Sequence, residues 1–226
     1  MHFRDVVWGN SKIELLVHEP IPAGKKEKVS LWGWPGEVPS WNWIGQEGKP
    51  IKVSVFSRYK TVKLMLNGKL VGEKNISSDS NLTATFMLPY EPGELKAIAI
   101  DNGKDVASKS LHTSGTATGI SLIAERTAVK ASRNDLVFVN IGIIDSEGRL
   151  VTDARIPVAI DVAGEGELLA AGNACPDEPE SYKDNHLITF RGRALVIVRP
   201  TGKKGVIQIK ASSSSLPSNT IHVKAD

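Results

Sequence analysis

One cysteine in 226 residues, Cys175, excludes any intrachain disulfide and removes the usual sign of an oxidising compartment. It lies in a polar loop, Asn173-Ala174-Cys175-Pro176-Asp177, with no histidine beside it, so an ordinary loop thiol fits better than a nucleophile. No run of 18 apolar residues occurs and no apolar segment opens the chain, so neither a membrane span nor a signal peptide is visible. A piece cut from a longer polypeptide loses its targeting signal with the part removed. The compartment is therefore left open, a periplasmic or extracellular parent included.

Charge of one sign is also lacking. The 28 Lys+Arg are dispersed and offset by 25 Asp+Glu, and Lys25, Lys26 and Lys28 make only a short solvated run, which argues against a nucleic-acid partner. His2, His18, His112, His186 and His222 are far apart and form no His-x-His or His-x3-His pair, so zinc has no support. The acidic loop Asp177, Glu178, Glu180 and Asp184 lacks the alternating ligands and central glycine of a calcium loop and reads as solvated charge. No Gly-x-Ser-x-Gly elbow occurs, and Ser212 to Ser215 is a polar run near a strand end. Gly164-Glu165-Gly166 has no downstream glycine and lysine, so it does not read as a phosphate loop. No catalytic residue, metal or cofactor is expected from these patterns.

A sustained helical period is missing as well. Short stretches rich in Val, Ile and Leu recur between Gly, Asn, Asp and Pro punctuation, the pattern of an all-β chain. Strands are expected near 13–17, 51–56, 62–66, 69–74, 84–88, 94–100 and 104–110, and then near 120–124, 136–144, 157–162, 167–170, 194–199, 206–211 and 219–223. Asn67-Gly68 and Asn102-Gly103 supply the positive φ of type I′ hairpin turns. In 136–144 both alternating faces are apolar, which predicts a central strand. About seven short strands per hundred residues is the pattern of an immunoglobulin-like sandwich without its paired cysteines.

The small and polar stretch 114–119 reads as a linker. The expected organisation is a lead-in over 1–48 packed on the first sandwich, the remainder of that sandwich over 49–113, and a second, invasin-like sandwich over 120–226. The lead-in holds all five tryptophans (Trp8, Trp32, Trp34, Trp41 and Trp43) with four prolines. So much aromatic surface needs a neighbour to cover it.

Asp5-Val6-Val7-Trp8-Gly9, Leu31-Trp32-Gly33-Trp34-Pro35, Trp41-Asn42-Trp43 and Gln46-Glu47-Gly48-Lys49-Pro50 together resemble the text of glycoside hydrolase family 2 β-galactosidases where the catalytic barrel ends and a sandwich begins. The resemblance continues through Val62 to Lys69, Pro89 to Leu95 and Leu111 to Gly115. It resumes in Ile120 to Arg126, Val139 to Asp145, Gly164 to Gly166, Gly172-Asn173 and Phe190 to Ala194, which look like the last sandwich domain of such enzymes. It implies a non-catalytic C-terminal accessory region that supports a parent's catalytic barrel in carbohydrate degradation. The parent would cleave a β-galactoside or a related glycan, with no membrane partner. Retaining family members use two glutamates about 5 Å apart on barrel strands, and none of the motifs that carry them is found here.

The tryptophans have two readings. Trp32, Trp34, Trp41 and Trp43 could stack on sugar rings, with Asn42 and Tyr182 as lesser carbohydrate contacts, or they could cement packed domains. The resemblance places them at the barrel junction and favours cement. An independent carbohydrate-binding module and a cell-surface spacer or adhesion array of Ig-like domains are the competing functions. The Trp-rich lead-in argues against the spacer.

Overall fold

Alternating burial builds each sheet of the chain, and the alternation breaks where a third layer covers a sheet's outer face. The computed structural model describes residues 2–31, 33–177 and 181–226, and the chain divides into two compact units, Met1–Thr113 and Ser114–Asp226. Both are β-sandwiches.

The first unit runs α1 (His2–Val7), β1 (Ile13–His18), β2 (Glu37–Val38), β3 (Pro50–Ser57), β4 (Thr61–Leu66), β5 (Lys69–Asn75), β6 (Thr83–Pro89), β7 (Glu94–Asp101) and β8 (Lys104–His112). One antiparallel sheet has the order β2-β1-β3-β6 and the other β5-β4-β7-β8. In β4, Val62, Leu64 and Leu66 are buried between half-buried neighbours, as the two-residue period requires. They meet Leu15, Val17, Val53, Val55 and Phe86 from the first sheet. Each such side chain contributes about 1.5–3 kcal/mol by burial.

Residues 1–48, expected as a lead-in, supply an interior strand of this sandwich. Ile13 to Val17 of β1 are all buried, because the face pointing away from the core is also covered. There α1 lays Val6 against Leu16 and Phe56, and the Phe3 ring meets Phe56 edge-on at 5.5 Å. Glu14, on that same face, is buried and pairs with His2 at 2.9 Å and Lys109 at 3.6 Å, which offsets the cost of desolvating a carboxylate. The six-residue helix was not anticipated, being too short to display a helical period.

The second unit runs β9 (Gly119–Ala124), β10 (Ala128–Val129), β11 (Val137–Ile144), β12 (Pro157–Gly164), β13 (Gly166–Gly172), β14 (His186–Ile188), β15 (Arg193–Pro200), β16 (Gly205–Ser212) and β17 (Asn219–Ala225). Its sheets are β13-β15-β11-β9 and β10-β17-β16-β12-β14, with β10 and β17 parallel. β11 is central, between β15 and β9, as its apolar faces predict. Val139, Ile141, Val196, Val198, Ile207 and Ile209 are among the residues that fill the space between the sheets. The buried Asp145 closes the turn after β11 by accepting from the amides of Gly115, Glu147 and Arg149 at 2.8–2.9 Å. Those bonds, that of Gly115 foremost, hold its carboxyl below the ordinary carboxylate range.

The two Asn-Gly turns have the conformation expected of them, with φ of 49° and 77° at Asn67-Gly68 and 49° and 74° at Asn102-Gly103. They differ in what the asparagine side chain does. Asn67 accepts from the amide of Glu94 at 2.8 Å and donates to the carbonyl of Pro92 at 3.0 Å, so the β4–β5 turn is tied to the start of β7. Gly93 leaves the room, since a Cβ there would fall 1.8 Å from the Asn67 carboxamide oxygen. Asn67→Ala is expected to lower the stability of the first unit by about 1–3 kcal/mol, and Asn102→Ala by distinctly less. Urea unfolding of the two variants checks this, and equal losses would show that the tie to β7 contributes nothing.

Candidate functional site

The irregular stretch before β3 is anchored by Trp41, which has no exposed surface. Its indole N–H donates to the carbonyl of Glu91 at 2.9 Å, and its ring meets Tyr90 edge-on at 4.9 Å. Thr113, just past β8, donates its hydroxyl to the carbonyl of Trp41 at 2.6 Å and accepts from the amide of Gly93 at 3.1 Å. The Tyr90 hydroxyl accepts from the amide of Trp43 at 3.1 Å. The ends of β6 and β8 thereby hold the segment at both edges of Trp41.

This arrangement bears on the two readings of the tryptophans, cement between packed domains and a carbohydrate platform. Trp41 and Asn42 are buried and Trp43 is half-buried, so Trp41 and Asn42 present no face on which a sugar could stack. Trp34 is 64% exposed and stands 6.0 Å from Phe3 of α1. Trp32 lies outside the described residues. Tyr182 belongs to the second unit, where it is 67% exposed. Within the first unit, then, Trp41 and Asn42 are interior and Trp34 is on the surface.

Apolar side chains do remain uncovered in the first unit. Trp8, directly after α1, is 68% exposed and Leu31 92% exposed, and Ile21, Val29 and Ile44 are exposed too. Prolines and glycines prevent this stretch from joining a sheet beyond the two residues of β2.

A polar cluster that sequence reading missed lies on the outer face of the first sheet. Residue β1-His18, residue β2-Glu37 and residue β3-Ser54 meet there, because Val17 pairs with Val53, and His18 with Glu37. His18 Nε2 is 2.5 Å from Glu37 Oε1 and 3.2 Å from Ser54 Oγ, and Ser54 donates to the same Glu37 oxygen at 2.6 Å. A nucleophilic triad needs the serine on one ring nitrogen and the carboxylate on the other. Here both crowd a single nitrogen, so the cluster cannot relay a proton and acts as a polar tie between β1, β2 and β3. Its members are 17 to 36 residues apart in sequence, and only the strand register brings them together.

Burial lowers the pKa of His18, with nearby Lys52 adding to the effect, against the opposing pull of Glu37 and Glu27. An unfolded histidine titrates at about 6.5, and the folded one only at lower pH. Between the two the unfolded chain holds more protons, so stability rises with pH and is lost as pH falls below about 6.5. Thermal unfolding of the first unit from about pH 7 to about pH 5 is expected to show this acid-side loss, and His18→Gln to flatten it. A variant with the wild-type slope would assign the loss to other groups.

Among the described residues no three His, Cys, Asp or Glu side chains gather to hold a metal. Cys175 is half-buried, and its amide donates to Asn173 at 2.7 Å. Glu178 and Glu180 of the acidic loop lie outside the described residues.

Residues 120–222 match the model described as glycoside hydrolase family 2 C-terminal domain 5, and residues 48–107 match a domain of unknown function. The chain is 33% identical to β-galactosidase BoGH2A of Bacteroides ovatus over 83% of its length, which is 22% of that relative. It is 27% identical to a β-galactosidase of Thermoanaerobacter pseudethanolicus over 72% of its length, again 22% of the relative. Among solved structures it is similar to a glycosyl hydrolase family 2 member from Bacteroides cellulosilyticus, at 32% identity and a TM-score of 0.93, covering all of this chain and 30% of that one. The chain thus spans about a fifth of the curated relatives it matches.

Proposed function

Because the chain belongs to the C-terminal region of glycoside hydrolase family 2, we propose that it is a non-catalytic accessory region that buttresses the catalytic barrel of a parent glycosidase acting on a β-galactoside or a related β-glycoside. The observation that carries this is one of coverage. The matched part is a fifth of each β-galactosidase, and it includes a C-terminal domain of the family. The described residues form two β-sandwiches and no strand–helix barrel. Retaining glycoside hydrolysis needs two carboxyls held about 5–5.5 Å apart across a cleft, and in this family that pair belongs to the barrel.

The uncovered side chains of Trp8, Leu31 and Trp34 support a contact role. Exposed apolar patches rimmed by polar residues mark surfaces that bind another protein surface. We read this stretch as the face that meets the barrel, with Trp41 fixing its base.

Two assays test the reading. The purified chain is expected to release no nitrophenol from nitrophenyl β-galactoside above the buffer rate. A parent polypeptide lacking this region is expected to lose activity on heating several degrees earlier than the intact one, as a loss of about 1–3 kcal/mol would produce. Hydrolysis by the chain itself, or equal heat resistance with and without it, would overturn the proposal.

A further inference from the structure

In the second unit, the face of the sheet β13-β15-β11-β9 that points away from the core carries apolar side chains in two successive cross-strand rows. Residues paired across antiparallel strands share a face. In one row Ile123 pairs with Asn140, Asn140 with Leu195, and Leu195 with Gly172. In the next, Phe138 pairs with Ile197 and Ile197 with Ala170. Ile123 is 63% exposed and Leu195 38%. An antiparallel sheet face turned to water is ordinarily polar, and this one sets apolar side chains between its polar ones.

Tyr182 lengthens the first row. Its carbonyl accepts from the amide of Ala171 at 2.8 Å, which lays residue 182 along the free edge of β13. Its ring lies over Gly172, where a Cβ would fall 2.6 Å from the ring. The missing side chain of Gly172 seats the ring against the backbone, and most of the tyrosine still faces water.

Polar groups stand within the same surface. Asn140 lies between Ile123 and Leu195, and Arg193 is the next outward residue of β15. Both are exposed, and neither side chain has a hydrogen-bond or ion-pair partner among the described residues. Two carboxylates adjoin the rows: exposed Glu125, whose amide donates to the carbonyl of Phe138 at 2.9 Å, stands at the β9 end of the second row, and Glu167, one row further on, is bonded to Arg199 and Arg133 at 2.7–2.8 Å.

This combination favours a sugar chain over a protein partner. A sugar ring presents C–H groups to an aromatic face and hydroxyls around its rim, so it can cover Tyr182 while bonding to an amide and a guanidinium. An apolar protein surface pressed onto the same rows would strand the Asn140 amide without partners, at a cost. Four strands at about 4.8 Å spacing make a row of about 15 Å, room for roughly three sugar rings.

We propose that this outer sheet face binds an oligosaccharide strand, stacking one ring on Tyr182 and hydrogen-bonding hydroxyls to Asn140 and Arg193. A strand bound there would hold the protein on its polysaccharide.

NMR titration of the intact chain tests this, with linear β-galactotetraose as one probe and a glucuronic-acid-containing tetrasaccharide as the other. The expected result is that one of them shifts the backbone amides of Ile123, Asn140, Gly172, Tyr182 and Arg193 with saturation. Tyr182→Ala is expected to weaken binding roughly tenfold with the unfolding temperature unchanged, Tyr182→Phe to retain most of it, and Asn140→Ala to fall between. No shift at these amides with either saccharide, or equal affinity in Tyr182→Ala, would overturn the proposal. Concentration-dependent dimerisation abolished by Tyr182→Ala, without any saccharide shift, would also overturn it and assign the face to a second copy.

Discussion

The burial of Trp41 is the contact on which the first unit depends. The sequence around it has the prolines, glycines and tryptophans of a stretch that cannot form a regular element, yet the indole is wholly inside the sandwich core. Its N–H bond to Glu91 and its carbonyl bond from Thr113 satisfy the two polar groups that burial would otherwise strand. Because the partners come from the loop after β6 and from the end of β8, one side chain fixes the entry to β3 relative to both sheets.

A second consequence follows for the outer face of the first sheet. On that face α1 packs over β1 and β3, and the sandwich becomes three layers thick at that point. The extra layer buries Leu16 and Phe56, and also Glu14 and Ser54. Each buried polar group has a partner, His2 and Lys109 for the carboxylate, Glu37 and His18 for the hydroxyl. The Ser-His-Glu cluster is therefore the product of covering a sheet face that carries polar residues. Its shared-nitrogen geometry suits a tie between strands and does not suit catalysis.

The second unit needs no such cover. Most of its strands alternate, with a bulge between Leu168 and Ala170 of β13, its turns are closed locally by Asp145 and by the asparagine loop before Cys175, and the outward face of one sheet keeps apolar side chains such as Ile123 in water. The first unit is built around an aromatic lead-in with exposed tryptophans, and the second leaves Ile123 and Tyr182 uncovered on one sheet.

The all-β class, the central position of β11, the two Asn-Gly hairpins and the absence of barrel motifs follow from the sequence alone, because strand periodicity and turn dihedrals are local properties of adjacent residues. The family resemblance was legible for the same reason, as ordered short motifs over most of the chain. Which tryptophan is core and which is surface was decided by the tertiary structure: Trp41 and Trp34 are the same residue in similar company, separated only by what packs on them. Register likewise brought His18, Glu37 and Ser54 together, and set Tyr182 over Gly172 beside Leu195. These are contacts between strands distant in the chain, and no local pattern encodes a pairing that depends on how whole sheets align.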